Sequence, residues 1–137
     1  MHIDILGTLY NVKFQTNDEC SKLNTQDADG LAELYSKELI IRTGYENNKN
    51  CYNNITAYRE KVLRHEIIHA IFHESGLQQY CDDELLVNFL AIQYPKIKEI
   101  MDVAKEMHEE IMKGSEKCYG RDITGTIHYT ADDWDIK

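Results

Sequence analysis

At 137 residues, with 42% hydrophobic and 28% charged side chains, the chain has the length of one compact domain and enough apolar residues for a core, which excludes disorder over most of its length. Its formal net charge of -9, from 15 Lys+Arg against 24 Asp+Glu, excludes nucleic acid and anionic membrane as natural partners. No apolar run approaches the ~20 residues that cross a bilayer, and MHIDILGTLYNVKF lacks the charged start, apolar centre and cleavage site of a signal peptide, so residence in the cytoplasm is the expectation.

Residues 2–14 read as two short strands. Ile3 and Ile5 alternate with polar neighbours, as do Tyr10, Val12 and Phe14, with a tight turn at Gly7-Thr8. The polar stretch 15–30, QTNDECSKLNTQDADG, reads as a loop ending in the turn signal Asp29-Gly30. LAELYSKELIIRT follows as a hairpin turning at Ser36-Lys37, and GYENNKNCYNN as a second polar loop. From Ile55 to Ser75 the pattern is helical, with Tyr58, Val62, His65, His69 and Phe72 at spacings of three and four, Asn54 as N-cap and Gly76 as the stop. A second helix opens at Asp82-Asp83 and is closed or kinked by Pro95. A third carries Ile97, Ile100, Met101, Ala104, Met107 and Ile111 on one face and ends at Gly114-Ser115. The pattern predicts an α+β domain over residues 1–114, a small, mostly antiparallel sheet with three helices, and a polar acidic tail, 115–137, that is β-like only at TIHYT. The cysteines Cys20, Cys51, Cys81 and Cys118 form no CxxC pair and read as free thiols.

The chemistry is concentrated in RHEIIHAIFHESGL, Arg64 to Leu77. His65 and His69 are one turn apart on one helix face, so their imidazoles can converge on one ion, and zinc accepts such nitrogens at ~2.0–2.1 Å. Glu66, inside the H-E-x-x-H pattern, is then the general base toward a zinc-activated water. His73 lies eight residues beyond His65, ~12 Å along the axis, and cannot share that ion on a regular helix.

A third protein ligand has to come from elsewhere, and the next helix offers Asp82, Asp83 and Glu84. Glu84 fits the helical pattern best, with Asp83 as the runner-up. Asn88, one turn after Glu84, is placed to accept the outer N–H of a ligand histidine. The predicted cofactor is one Zn2+ per chain. Candidate oxyanion donors are His128, Tyr129, Tyr80 and His73. Two other functions fit the same residues. One is a protein-binding module of weak or no activity. The other is a structural zinc site, closed by a fourth ligand such as His73 or His128.

LRHEIIHAIFHESGL, followed by DDELLVNFLAIQYPKI and preceded by ILGTLYNVKF and DADGLAELYSKELIIRT, resembles the small phage and prophage ImmA/IrrE-like zinc metallopeptidases among the gluzincins, over roughly residues 3 to 100. The resemblance implies His65, His69 and Glu84 as ligands, Glu66 as base, and a small sheet packed on the active-site helix in a minimal zincin-like fold. It implies a peptidase, endopeptidase more than exopeptidase, acting in a bacterial cytoplasm on a protein or peptide such as a repressor or host regulator. Asn88 departs from the pattern, since relatives often carry an aspartate there. No helix-turn-helix segment accompanies the motif.

Overall fold

The computed structural model describes residues 1–44 and 54–118, and the chain divides into two compact units, Met1–Tyr94 and Pro95–Lys137. Strands β1 (His2–Ile5) and β2 (Thr8–Gln15) pair antiparallel, with Ile5 opposite Thr8. The turn between them is Leu6-Gly7, one residue earlier than the sequence suggests. Both residues have positive φ, 53° and 87°, as a two-residue hairpin requires, and Asp4 Oδ1 accepts from the Gly7 amide at 2.8 Å.

The stretch 15–30 is not all loop, because it holds a short helix α1 (Ser21–Thr25) whose Leu23 is fully buried. One leucine among polar residues leaves no periodicity to read, so this turn of helix escapes pattern analysis. Strands β3 (Gly30–Glu33) and β4 (Glu38–Arg42) then form the expected antiparallel hairpin. The sheet order is β1-β2-β4-β3, with β2 and β4 parallel. The sheet is therefore mostly antiparallel, and the fold is α+β as predicted. Interior strand β4 buries Leu39, Ile40 and Ile41, while β3 is an edge.

Helix α2 (Ile55–Glu74) lies on this sheet. Asn54 caps it by accepting from the Ala57 amide at 3.1 Å, and Gly76, at φ 73°, lets the chain turn away. Ala70 joins Ile5, Tyr10, Val12 and Leu39 in the core, and Leu63 and Ile67 pack against it. At its last residue, Glu74 accepts from Thr8 Oγ1 at 2.8 Å, Tyr10 Oη at 2.6 Å and Lys37 Nζ at 2.5 Å, fastening the helix to β2 and to the turn before β4.

A short helix α3 (Gln78–Cys81), absent from the sequence reading, precedes α4 (Glu84–Cys118). The second and third predicted helices are one. Pro95 lies inside α4 and does not end it, and the helix runs past Gly114. Proline removes the amide that would bond the carbonyl four residues back, here Ala91. That carbonyl instead accepts from Arg64 Nε at 2.8 Å, so the break in the ladder is compensated from α2. In the second unit α4 carries Lys98–Asp102 and Lys105–Glu109 pairs and exposes Ile100, Met101, Val103 and Met107. No described helix is long and apolar enough to cross a membrane. Cys51 and residues 119–137, with TIHYT, lie outside the described residues. Cys20 and Cys81 are free thiols.

Candidate metal centre

Helix α2 presents His65 and His69 to a cavity of about 460 Å³ whose walls also include Gly30 of β3, Cys81 of α3, and Glu84 and Asn88 of α4. Side chains of three residues that could hold a metal ion meet there. His65 Nε2 lies 3.0 Å from His69 Nε2 and 3.2 Å from Glu84 Oε2, and His69 Nε2 lies 3.3 Å from Glu84 Oε1. Ligands at ~2.0–2.1 Å from a tetrahedral zinc stand about 3.3 Å from one another, so these separations match such an ion's donor set. Among the described residues this is the one group of three or more His, Cys, Asp or Glu side chains close enough to share an ion.

Each side chain of the cluster has a partner at its own position. His69 Nδ1 donates to the Cys81 carbonyl at 2.6 Å, which leaves its Nε2 lone pair facing the other two ligands. His65 hydrogen-bonds the Asn88 side chain. Burial, and then the neighbouring His69 ring, hold the His65 imidazole below its usual pKa, favouring the neutral form that ligates. Glu84 stands at the start of α4, directly after Asp83, whose Oδ1 accepts from the Leu86 amide at 3.0 Å. Asp83, the runner-up ligand, is thus occupied as a helix cap and stays outside the cluster.

Glu66 is the buried carboxylate of the site, 6% exposed, and burial followed by the Glu84 carboxylate pushes its pKa up to about 8. Gly30 lies directly against it. A Cβ on Gly30 would fall 2.6 Å from Glu66 Oε1 and 2.7 Å from Val62 Cγ1. The edge strand therefore approaches the Glu66 carboxylate as closely as only glycine permits.

The remaining candidates are elsewhere. His73 Nδ1 meets Gln78 Oε1 at 2.9 Å and its ring contacts Tyr35, away from the cluster. Tyr80 packs on Phe72 and does not line the cavity. His128 and Tyr129 lie outside the described residues. Two contributors escape sequence reading. Cys81 acts through its backbone carbonyl, which every residue type has. Gly30 carries a signal, but Asp29-Gly30 reads as a turn, and the close approach that needs a glycine is tertiary. No protein-family model, curated protein or solved structure matches the chain.

Proposed function

We propose that the chain is a zinc-dependent endopeptidase, a minimal zincin-like enzyme of the ImmA/IrrE-like kind, acting in a bacterial cytoplasm on a regulatory protein. The observation that carries this reading is the His65, His69 and Glu84 cluster, whose two ring nitrogens lie 3.0 Å apart and each within 3.2–3.3 Å of one Glu84 oxygen, beside the buried Glu66 carboxylate in one cavity. Two imidazoles and one carboxylate suit zinc, and three protein ligands are the number found in catalytic rather than structural sites. A zinc ion bound there supplies Lewis acidity to a carbonyl and raises the acidity of a water.

The chain's own residues supply the rest. Glu66, as a carboxylate, takes the water proton and delivers it to the leaving amine. Cys81 O and Asn88 hold the two rings in place. Edge strand β3 brings Gly30, Leu31 and Ala32 to the same cavity, and a sheet edge is a template for an extended peptide. The test is zinc content together with cleavage of a degenerate peptide library, wild type against Glu66→Gln. Zinc near one per chain and cleavage abolished in the variant are expected. Equal cleavage by both proteins rejects the mechanism.

One observation favours a second reading, a zinc-holding module that binds its protein partner without cutting it. The partner of His65 is the neutral Asn88 amide, which polarises an imidazole less than a carboxylate would. Under that reading the metal-loaded wild type binds peptides and cleaves none.

A further inference from the structure

Lys61 stands one turn before His65 on α2 and lines the same cavity. Its ammonium lies 5.4 Å from the centroid of the Tyr58 ring. It is half-buried and makes no ion pair among the described residues, whereas Lys13, Lys22 and Lys37 are each held by a glutamate. The other charged lining residues are all carboxylates: Asp29, Glu66, Asp82 and Glu84. Asp29 is already engaged by Arg42 Nη1, at 3.2 Å, and by the Tyr58 hydroxyl. The Tyr58 end of the cavity thus holds the Asp29 carboxylate, already paired with Arg42 and Tyr58, and Lys61, a cation with no ion-pair partner among the described residues.

We propose that Lys61 is a specificity-determining residue, forming a subsite that selects a carboxylate on the bound peptide. The proposal rests on the peptidase reading. A ligand carboxylate in the cavity can form a charge-assisted hydrogen bond with this ammonium, which has no ion-pair partner among the described residues. Asp29 cannot take that role while Arg42 and Tyr58 hold it. Helix rise puts Lys61 ~9 Å along the axis from the midpoint of His65 and His69, and an extended chain advances ~3.3 Å per residue, so for a peptide running along α2 the selected group lies about three residues from the cleaved bond. The carboxylate belongs either to an Asp or Glu side chain or to the peptide's own C-terminus.

The test is a degenerate library, half with free and half with amidated C-termini, digested by the zinc-loaded full chain and by Lys61→Met, Lys61→Arg and Lys61→Glu. Zinc content and circular dichroism check that each variant is folded. Wild type should prefer Asp or Glu over Asn or Gln about three residues from the cut, on the order of tenfold in kcat/KM. Lys61→Arg should keep the preference, Lys61→Met lose it, and Lys61→Glu turn it toward Lys or Arg. Faster cleavage of the free-terminus half whatever the side chain identifies the terminal carboxylate, and an Asp or Glu preference equal in both halves identifies the side chain. Cleavage with neither an acidic side-chain preference nor a free-terminus preference, or a preference unchanged in Lys61→Glu, overturns the proposal. No cleavage by metal-loaded wild type defeats the peptidase reading itself, and this inference with it.

Discussion

Two glutamates of one residue type sit in opposite environments. Glu66 is buried against Gly30 and Val62, while the Glu84 side chain is 65% exposed and touches both histidine rings. They should fail differently. Glu84→Gln replaces an anionic ligand with an amide, so zinc content and cleavage should fall together. Glu66→Gln keeps the shape but cannot accept a proton, so zinc should stay while turnover falls by ~10²–10⁴. Metal analysis and peptide cleavage on the same preparations separate the two. Gly30 is a third sensitive position. In Gly30→Ala the new methyl would sit under 3 Å from Glu66 Oε1 and Val62 Cγ1, so the strand or the base must move. Displacement of a catalytic group by ~1 Å costs on the order of a hundredfold, and that loss should appear in kcat with zinc content preserved. A Gly30→Ala enzyme with wild-type kcat would show that the close approach is incidental.

Between elements, polar groups at helix positions set how α2 meets its neighbours. Glu74 ties α2 to β2 and to Lys37, and these hydrogen bonds, the one from Lys37 first, lower its pKa to about 2. A depressed carboxylate stabilises the fold above its unfolded pKa, near 4.5, and that contribution is lost as pH falls through the folded value. Glu74→Gln should therefore melt below wild type at pH 6, with the gap closing between about pH 4.5 and pH 2. Thermal melts of both proteins across that range check it, and a gap independent of pH would assign the loss to packing. Arg64 does for α4 what Glu74 does for the sheet. Arg64→Met leaves the buried Ala91 carbonyl without its donor, at about 1–3 kcal/mol. Pro95→Ala restores a backbone N–H for that carbonyl. Arg64→Met should then cost less in the Pro95→Ala background, a difference that denaturant titration of the four proteins measures.

For the molecule as a whole, the metal set and the core are separate. The core cluster of Ile5, Tyr10, Val12, Leu39 and Ala70 contains none of His65, His69 or Glu84. Chelation should therefore lower Tm without unfolding the chain, because binding to the native state contributes about 2.7 kcal/mol at a free metal concentration a hundredfold above Kd. A chelated sample that keeps its helical circular dichroism is the expected result. A random-coil spectrum would make the metal part of the folding nucleus and favour a structural site.

How much of this was legible in the chain follows from the range of each interaction. His65, Glu66 and His69 lie within five consecutive residues, and the geometry of one helix turn relates them, so local sequence determines both their face and their spacing. Both hairpins, the Asn54 cap and the Gly76 stop are local in the same way, set by alternation and by backbone conformations that few residues adopt. Glu84 over Asp83 was readable only as a preference; in the structure Glu84 stands beside both histidines, while Asp83 accepts from the Leu86 amide at the start of the helix. The Ala91 carbonyl that Pro95 leaves without its helix donor is met by Arg64, twenty-seven residues away in sequence, and no local pattern predicts a donor from another helix. Gly30 against Glu66, the Cys81 carbonyl under His69 and the placement of Lys61 in the cavity likewise arise only when strand, loop and helix are brought together. Periodicity encodes which side of an element is buried; tertiary packing alone decides which particular atoms then meet.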